Sequence, residues 1–487
     1  MRKILAILTI LNLTSSLFSS PSKEKVDALY NAVPQSCEAM ESYTQNALQN
    51  LESAVEKFLH SEIRDFEHTI LQWHEILAHA FSNQQVLTGT ASTENKSCAQ
   101  FHAQKIGEAM QQAMENPAVL QVLLEFAEKH SSKDSLSPLQ RTYVFNVIKS
   151  INTNLLSPDL KDKVESLQQT LSSQTKLAYT HLKGKGSAKK DAKTLSVLSF
   201  NTCCLWDMLP MIWGGILPWE LRIDELAKKI KEQNADLICF QEIFDFKAST
   251  ALYEKLKGSY KYFYINIGPR NFGLSPGSFG LSSGLFVASR YEIQKPKFIA
   301  FGKNSPPERT YGFFFGNLLH QEQVIAQFVT THLQPFNSSE GKSWRNKQIK
   351  QILTFMRSQE PINVPFLLCG DLNTEWRSKE PAESLLSQNF YNSYRPSDKT
   401  LKTRTCADYT NYWWKDQRDI KKFRAKPEII DYCLLLQKTN KQGIEKKFPM
   451  KTQIISMSKP HLPEKALSDH QAVMTWIQLP TRIDNKF

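Results

Sequence analysis

Along residues 48–77 apolar side chains return every three or four positions: Leu48, Leu51, Val55, Leu59, Ile63, Phe66, Ile70, Trp73 and Leu77. That period puts them on one stripe of a long helix or helical hairpin. Neither Gly nor Pro interrupts Gln35 to Thr88. Further helical stretches are predicted near 99–115, 118–130, 138–154 and 158–180, so residues 21–180 read as an all-α helical domain whose stripe is core. Residues 181–194, His181-Leu-Lys-Gly-Lys-Gly-Ser-Ala-Lys-Lys-Asp-Ala-Lys193 and Thr194, are small, polar and basic. They read as a linker. Beyond them the period changes. Apolar runs of strand length appear at Leu195–Phe200, Asp236–Phe240, Tyr262–Ile267, Gly284–Ser289, Val324–Thr331, Phe366–Cys369, Ile429–Leu436 and Ala472–Leu479. Helical stretches Trp219–Gln233 and Trp344–Arg357 fall among them, which predicts a mixed α/β domain over 195–487.

A chain of 487 residues is too long for one ordinary hydrophobic core, in keeping with two domains. At the start, Arg2 and Lys3 precede the apolar run Ile4 to Leu13 and then Thr14, Ser15 and Ser16. This is the pattern of a signal peptide over 1–20, hence of an exported, secreted or periplasmic protein. No later run reaches about 18 apolar residues, which argues against a membrane-spanning helix. The net charge of +12 is unevenly placed: residues 1–194 carry 20 basic and 20 acidic side chains, and residues 195–487 carry 40 and 28. The basic excess therefore belongs to the α/β region and suits phosphate-bearing partners. Of the eight cysteines, Cys37 and Cys98 could bridge the helical region. Cys203, Cys239, Cys369 and Cys433 lie in apolar runs and read as buried small hydrophobes.

The polar residues gather where the apolar runs stop. Leu198-Ser-Phe-Asn201 ends on an amide, and Ile238-Cys-Phe-Gln-Glu242 on an acid. Val329-Thr-Thr-His332 ends on imidazole, and Leu367-Leu-Cys-Gly-Asp-Leu-Asn373 on Asp371 and Asn373. Asp431 sits within Ile429-Ile-Asp431-Tyr432, and Ser468-Asp469-His470 directly precedes the last run. Six such sites, all acid, amide or imidazole, exceed what strand punctuation requires. If the strand ends converge, they form a cleft of hard oxygen ligands and imidazoles suited to Mg²⁺, with Mn²⁺ also accommodated.

Gln241-Glu242, Gly370-Asp-Leu-Asn373 and Ser468-Asp-His470, in this order over Leu195 to Leu479, resemble the endonuclease/exonuclease/phosphatase superfamily. The resemblance implies an α/β four-layer sandwich, two packed mixed sheets covered by helices, and a metal-dependent phosphoric ester hydrolase. By the same resemblance Glu242 is the main metal ligand, Asn201 stands beside the metal, and Asp469 supports the site and approaches the ion. Asp371 and Asn373 position and activate water and bind phosphate. His470 contacts phosphate or acts as base, and Asp431 orients it. His332 is the second imidazole, on the leaving-group side. The general base stays open between Asp and His.

Within the superfamily, Ser283-Gly-Leu-Phe-Val-Ala-Ser-Arg290 and Thr331-His332-Leu-Gln334 followed by Arg345 and Gln348 resemble the neutral sphingomyelinase group, as does Thr405-Cys-Ala-Asp408. The expected activity is therefore a phosphodiesterase of the sphingomyelinase type, cleaving a phospholipid headgroup at a membrane surface. The segment Gln437–Leu467 lacks the Trp-Phe hairpin tip of secreted bacterial members; Trp413 and Trp414 pair earlier in the chain. Three alternatives stay open. The cluster Lys421, Lys422, Arg424 and Lys426 suits DNA and a secreted deoxyribonuclease or endonuclease. A phosphoinositide phosphatase also fits the motifs. So does a non-catalytic binding module on a hydrolase fold, which the intact motif set disfavours. The helical region is a candidate for binding an unknown protein partner.

Overall fold

The computed structural model describes residues 157–174, 179–188, 193–205, 216–268, 282–305, 310–335, 338–359, 363–376, 378, 380–394, 405–406, 429–437, 439–440, 443–444, 448–457 and 465–480, with isolated helical positions 42, 45, 46 and 49. The leader, nearly all of the helical region, the Trp413–Trp414 pair and the basic cluster at 421–426 lie outside them. One helix, α1 (Pro158–Gln174), is described ahead of the α/β region. No helix among the described residues is long and apolar enough to cross a membrane.

Two mixed sheets carry the domain. The first has the order β1-β4-β5-β3-β2-β15-β14, with β1 Thr180–Lys183, β2 Thr194–Cys204, β3 Leu237–Ile243, β4 Tyr262–Ile267, β5 Leu285–Ser289, β14 Met450–Ile455 and β15 Ala472–Gln478. The second has the order β10-β11-β9-β8-β7-β6, with β6 Glu292–Ala300, β7 Gly312–His320, β8 Gln323–His332, β9 Phe366–Asp371, β10 Phe390–Tyr391 and β11 Asp431–Leu436. Short strands β12 (Thr439–Asn440) and β13 (Gly443–Ile444) form a separate hairpin. Pairing is parallel at β2/β3 and β8/β9 and antiparallel at every other described pair of the two large sheets. Parallel neighbours need a crossover. Helix α2 (Ile223–Gln233) supplies it in the first sheet, and α4 (Ser339–Ser358) in the second.

Alternation along the strands sorts the core into layers. Val197, Cys239, Val287, Phe314, Phe328, Leu367 and Cys433 fill the space between the sheets. Leu198, Phe240 and Phe286 face away from it, against Leu226 and Ile230 of α2 and Leu252 of α3 (Phe246–Leu256). The outer face of the second sheet packs Val329 and Leu368 on Ile349 and Ile352 of α4 and Leu386 of α5 (Pro381–Asn389). Helix α2 docks because Ile223, Leu226, Ala227 and Ile230 recur at i, i+3, i+4 and i+7; Asn234 ends it in the left-handed conformation, φ 53°.

The segment 181–194 differs from its reading as a linker. Thr180–Lys183 is an edge strand, paired from Thr180 opposite Ile265 to Lys183 opposite Tyr262. The bonding continues as Gly184 N–H donates to Lys261 O at 2.8 Å and Gly186 N–H to Tyr260 O at 3.2 Å. A Cβ on Gly184 would lie 2.3 Å from Tyr260 O, and one on Gly186 equally close to Ser259 O. These glycines serve close packing, which composition alone does not distinguish from looseness. Strands β6, β7 and β14 were not among the predicted runs. Edge strands β6 and β14 are polar and part-exposed, as edges are kept, and the apolar run of β7 starts on Gly312 and is interrupted by Gly316.

Candidate active site

Both parallel pairs point their carboxyl ends at one place, where crevices form in open α/β sheets. From the first sheet come Asn201 on β2 and Glu242 on β3. From the second come His332 on β8 and Asp371 on β9. The register of β2 on β3 slips between Asn201 and Cys204, a bulge that re-aims the strand end. Cys203 inside it has φ 49°, and Glu242 has φ 59°. Left-handed backbone at non-glycine residues costs about 1–3 kcal/mol and collects at functional sites. Asn201 Oδ1 accepts from Cys203 N–H at 3.1 Å. Its Nδ2 donates to Glu242 Oε1 and to Asp371 Oδ2, both at 3.0 Å, so one amide joins carboxylates of the two sheets.

On the second sheet Gly370 lets β8 and β9 approach: it has φ +143°, and a Cβ there would stand 1.9 Å from Thr331 O. The next residue, Asp371, lies opposite Asp431 across the antiparallel β9/β11 pair. Asp371 Oδ1 accepts from Asn373 N–H at 2.9 Å, and Asn373 Nδ2 donates to Leu333 O at 3.1 Å. Asp431 Oδ2 is 2.8 Å from His470 Nδ1. The far side of that ring, Nε2, is 3.9 Å from Asp371 Oδ2. His332 Nε2 stands 3.6 Å from Asp371 Oδ2 and 3.7 Å from Glu242 Oε1. Ser468 Oγ donates to Asn201 O at 2.7 Å and accepts from His470 N–H, tying the last loop to β2.

Asp371 and Asp431 are held out of water, and Glu242 keeps about a fifth of its side chain exposed. Burial, then Asp469, push the Glu242 carboxyl up to about 7, against the lowering pull of His470 and Asn201. Burial and the facing Asp431 push Asp371 up to about 7. Burial disfavours the His470 imidazolium, but Asp431, Cys406 and Asp469 outweigh it and hold the pKa well above its ordinary value. Two ligand clusters result, each with atoms within 4.8 Å of one another: Glu242, His332 and Asp371, and Asp371, Asp431 and His470. Carboxylates crowded by burial and like charge fit a hard divalent cation, whose charge would offset theirs.

All eight residues expected from the sequence lie at this cleft. Asn201 turns its amide NH₂ to the carboxylates and keeps its oxygen on Cys203, so it braces the acids. Asp469 acts on Glu242 through its charge but joins neither cluster. Sequence reading gave Thr405 no role beyond its motif, though its hydroxyl accepts from the backbone of Ile430 and Asp431, and it missed the buried Arg222. One sign of Arg222 was available: a cation at the start of a helix whose first turn is acidic, Asp224 and Glu225, opposes the helix dipole. The six described cysteines are free thiols, five of them buried, as small hydrophobes would be.

Residues 198–435 match the Endonuclease/Exonuclease/phosphatase family. Sphingomyelinase C of Bacillus cereus is 24% identical over 258 residues, half of this chain and 74% of that protein. Phospholipase C of Staphylococcus aureus is 25% identical over 281 residues, 54% of this chain and 80% of that one. Among solved structures, sphingomyelinase C from Streptomyces griseocarneus superposes with a TM-score of 0.45 at 22% identity, covering 58% of this chain and 99% of that one. Together these matches support the Endonuclease/Exonuclease/phosphatase superfamily for residues 198–435 and indicate a phosphoester hydrolase.

Proposed function

We propose that the protein is an exported, Mg²⁺-dependent phosphodiesterase that hydrolyses a phospholipid headgroup in the manner of a sphingomyelinase. The observation that carries the reaction is the Asn201 amide joining Glu242 and Asp371 between two imidazoles. The matched relatives, named for sphingomyelin and phospholipid cleavage, supply the substrate class. Glu242 is the principal ligand, and Asn201 fixes its carboxylate. A divalent cation held there supplies positive charge to the phosphoryl oxygens.

Asp371, presented by Gly370 and the Asn373 N–H, orients the attacking water. The water's proton passes to the Asp371–His470 pair as its oxygen bonds phosphorus. Asp431 keeps the Nδ1 proton of His470 engaged, so that Nε2 faces the reaction. His332, across the cleft, gives its proton to the departing alkoxide. Asp469 adds negative charge that favours both the cation and the protonated His470. The leader at 1–20 directs export, and the helical region at 21–180 serves targeting or partner binding.

The test is a paired assay of the purified chain with Mg²⁺ or with EDTA. Sphingomyelin liposomes read phosphocholine release, and plasmid DNA reads nicking. Mg²⁺-dependent phosphocholine release, lost in His470→Ala, is expected. Nicking without phosphocholine release would replace the lipid by DNA and leave the site standing.

A further inference from the structure

Arg222 is 3% exposed, yet no hydrogen bond or ion pair joins it to a carboxylate among the described residues. Its guanidinium is spent on backbone carbonyls. Nε donates to Leu217 O at 2.7 Å, Nη2 to Cys203 O at 2.7 Å, and Nη1 to Thr202 O at 3.1 Å and also to Leu467 O. Thr202 and Cys203 lie in the bulge where the β2/β3 register slips. Their carbonyls leave the ladder there, and the guanidinium satisfies them where no water reaches. Leu467 immediately precedes Ser468, Asp469 and His470.

We propose that Arg222 is a positioning residue of the active site, a brace that fixes Asn201 through the bulge and His470 through the Leu467 carbonyl. The chain of contacts is short. Arg222 holds Cys203, Cys203 N–H holds Asn201 Oδ1, and Asn201 Nδ2 holds Glu242 and Asp371. On the other side Arg222 holds Leu467, after which Ser468 Oγ closes back onto Asn201 O. A planar fork with five donors can serve four carbonyls at once; an ammonium with three rotating donors cannot. The acceptors carry no formal charge, so the guanidinium keeps its positive charge behind the acids. Burial, then Asp469 and Glu242, push the Cys203 thiol up, and Arg222 pulls it down, so both signs of charge act at this thiol.

This inference rests on the reading of Glu242 as a metal ligand, and the test separates the two. In the full chain, Arg222→Lys is compared with Leu252→Ala, a core truncation in α3 away from the cleft that controls for lost stability. Three quantities are read: Mg²⁺ affinity by calorimetry, kcat and KM for phosphocholine release, and the His332 and His470 ring resonances without metal. Arg222→Lys is expected to weaken Mg²⁺ binding and lower kcat by about 10–100-fold each, with KM nearly unchanged. It should also move the His470 resonance, while Leu252→Ala does none of these at a matched unfolding midpoint. Unmoved ring resonances, or losses equal to those of Leu252→Ala, overturn the proposal. A wild-type protein that binds no Mg²⁺ overturns the metal reading instead, and the ring resonances still decide the role of Arg222.

Discussion

Two buried ionic clusters sit at the carboxyl end of β8 and differ in how their charge is met. In one, Arg345 is fully buried and grips Glu380 with two hydrogen bonds, 3.3 and 3.1 Å, while a third reaches Gln334 O at 3.0 Å. Gln348 closes it by accepting from Gln334 N–H. The chain supplies both signs of charge, and the result is a fixed corner beneath His332. In the other, Glu242, Asp371 and Asp431 share one amide and two imidazoles, and burial drives the carboxyls toward neutrality. A charge that the fold neutralises holds the fold together. A charge that the fold leaves exposed to its own repulsion waits for something to bind.

The largest expected effect that would sharpen this contrast is on stability. Arg345→Ala strands Glu380 and should lower the unfolding free energy by about 3–5 kcal/mol in urea denaturation. Asp371→Asn in metal-free protein should leave it equal or higher, because that change removes a charge that burial disfavours. A loss of similar size in both would erase the distinction. Next comes activity: Glu242→Gln, Asp371→Asn and His470→Gln should each lower kcat about 10²–10³-fold, read as phosphocholine release. Near-normal turnover in any of them removes that residue from the reaction.

The third effect is one of pH. With the folded pKa of Glu242 near 7, the folded chain holds a proton that the unfolded chain releases between its ordinary carboxyl range and 7. Stability from this group therefore falls as pH rises through that window. Glu242→Gln should match wild type at pH 5, exceed it at pH 8 in EDTA, and fall below it at pH 8 in excess Mg²⁺. Thermal melts at the two pH values would reveal a reversed order, which contradicts the frustrated-carboxylate account. The smallest effect belongs to Asn201→Ala. The amide lowers both carboxyl pKa values, so its loss should move the acid limb of the pH–rate profile upward. An unmoved limb would show that the amide serves shape alone.

Most of the site was legible because its residues interrupt apolar runs. Asn201, Glu242, His332 and Asp371 lie at the ends of strands whose period is plain, Asp431 interrupts another apolar run, and His470 stands just ahead of the last. What pattern reading loses is whatever acts through the backbone. Arg222 bonds carbonyls, which every residue owns, so nothing in the partners' identities announces the contact. The turned amide of Asn201 depends on a bulge that alternation does not record. Gly184 and Gly186 look like slack in a composition count, and their tight fit is visible only against Ser259 and Tyr260.

That fit bears on how the hydrolase can be shortened. Strand β1 covers the outer edge of β4, and Tyr179 lies edge-on to Tyr264 and Phe314, ring centroids 5.2 and 5.5 Å away. A protein trimmed to begin at Thr194 would bare the backbone edge of Tyr262-Phe-Tyr-Ile265, an aromatic template for a second chain. Self-association of such a fragment would then report a missing strand rather than a native oligomer, and the safe cut lies ahead of Tyr179.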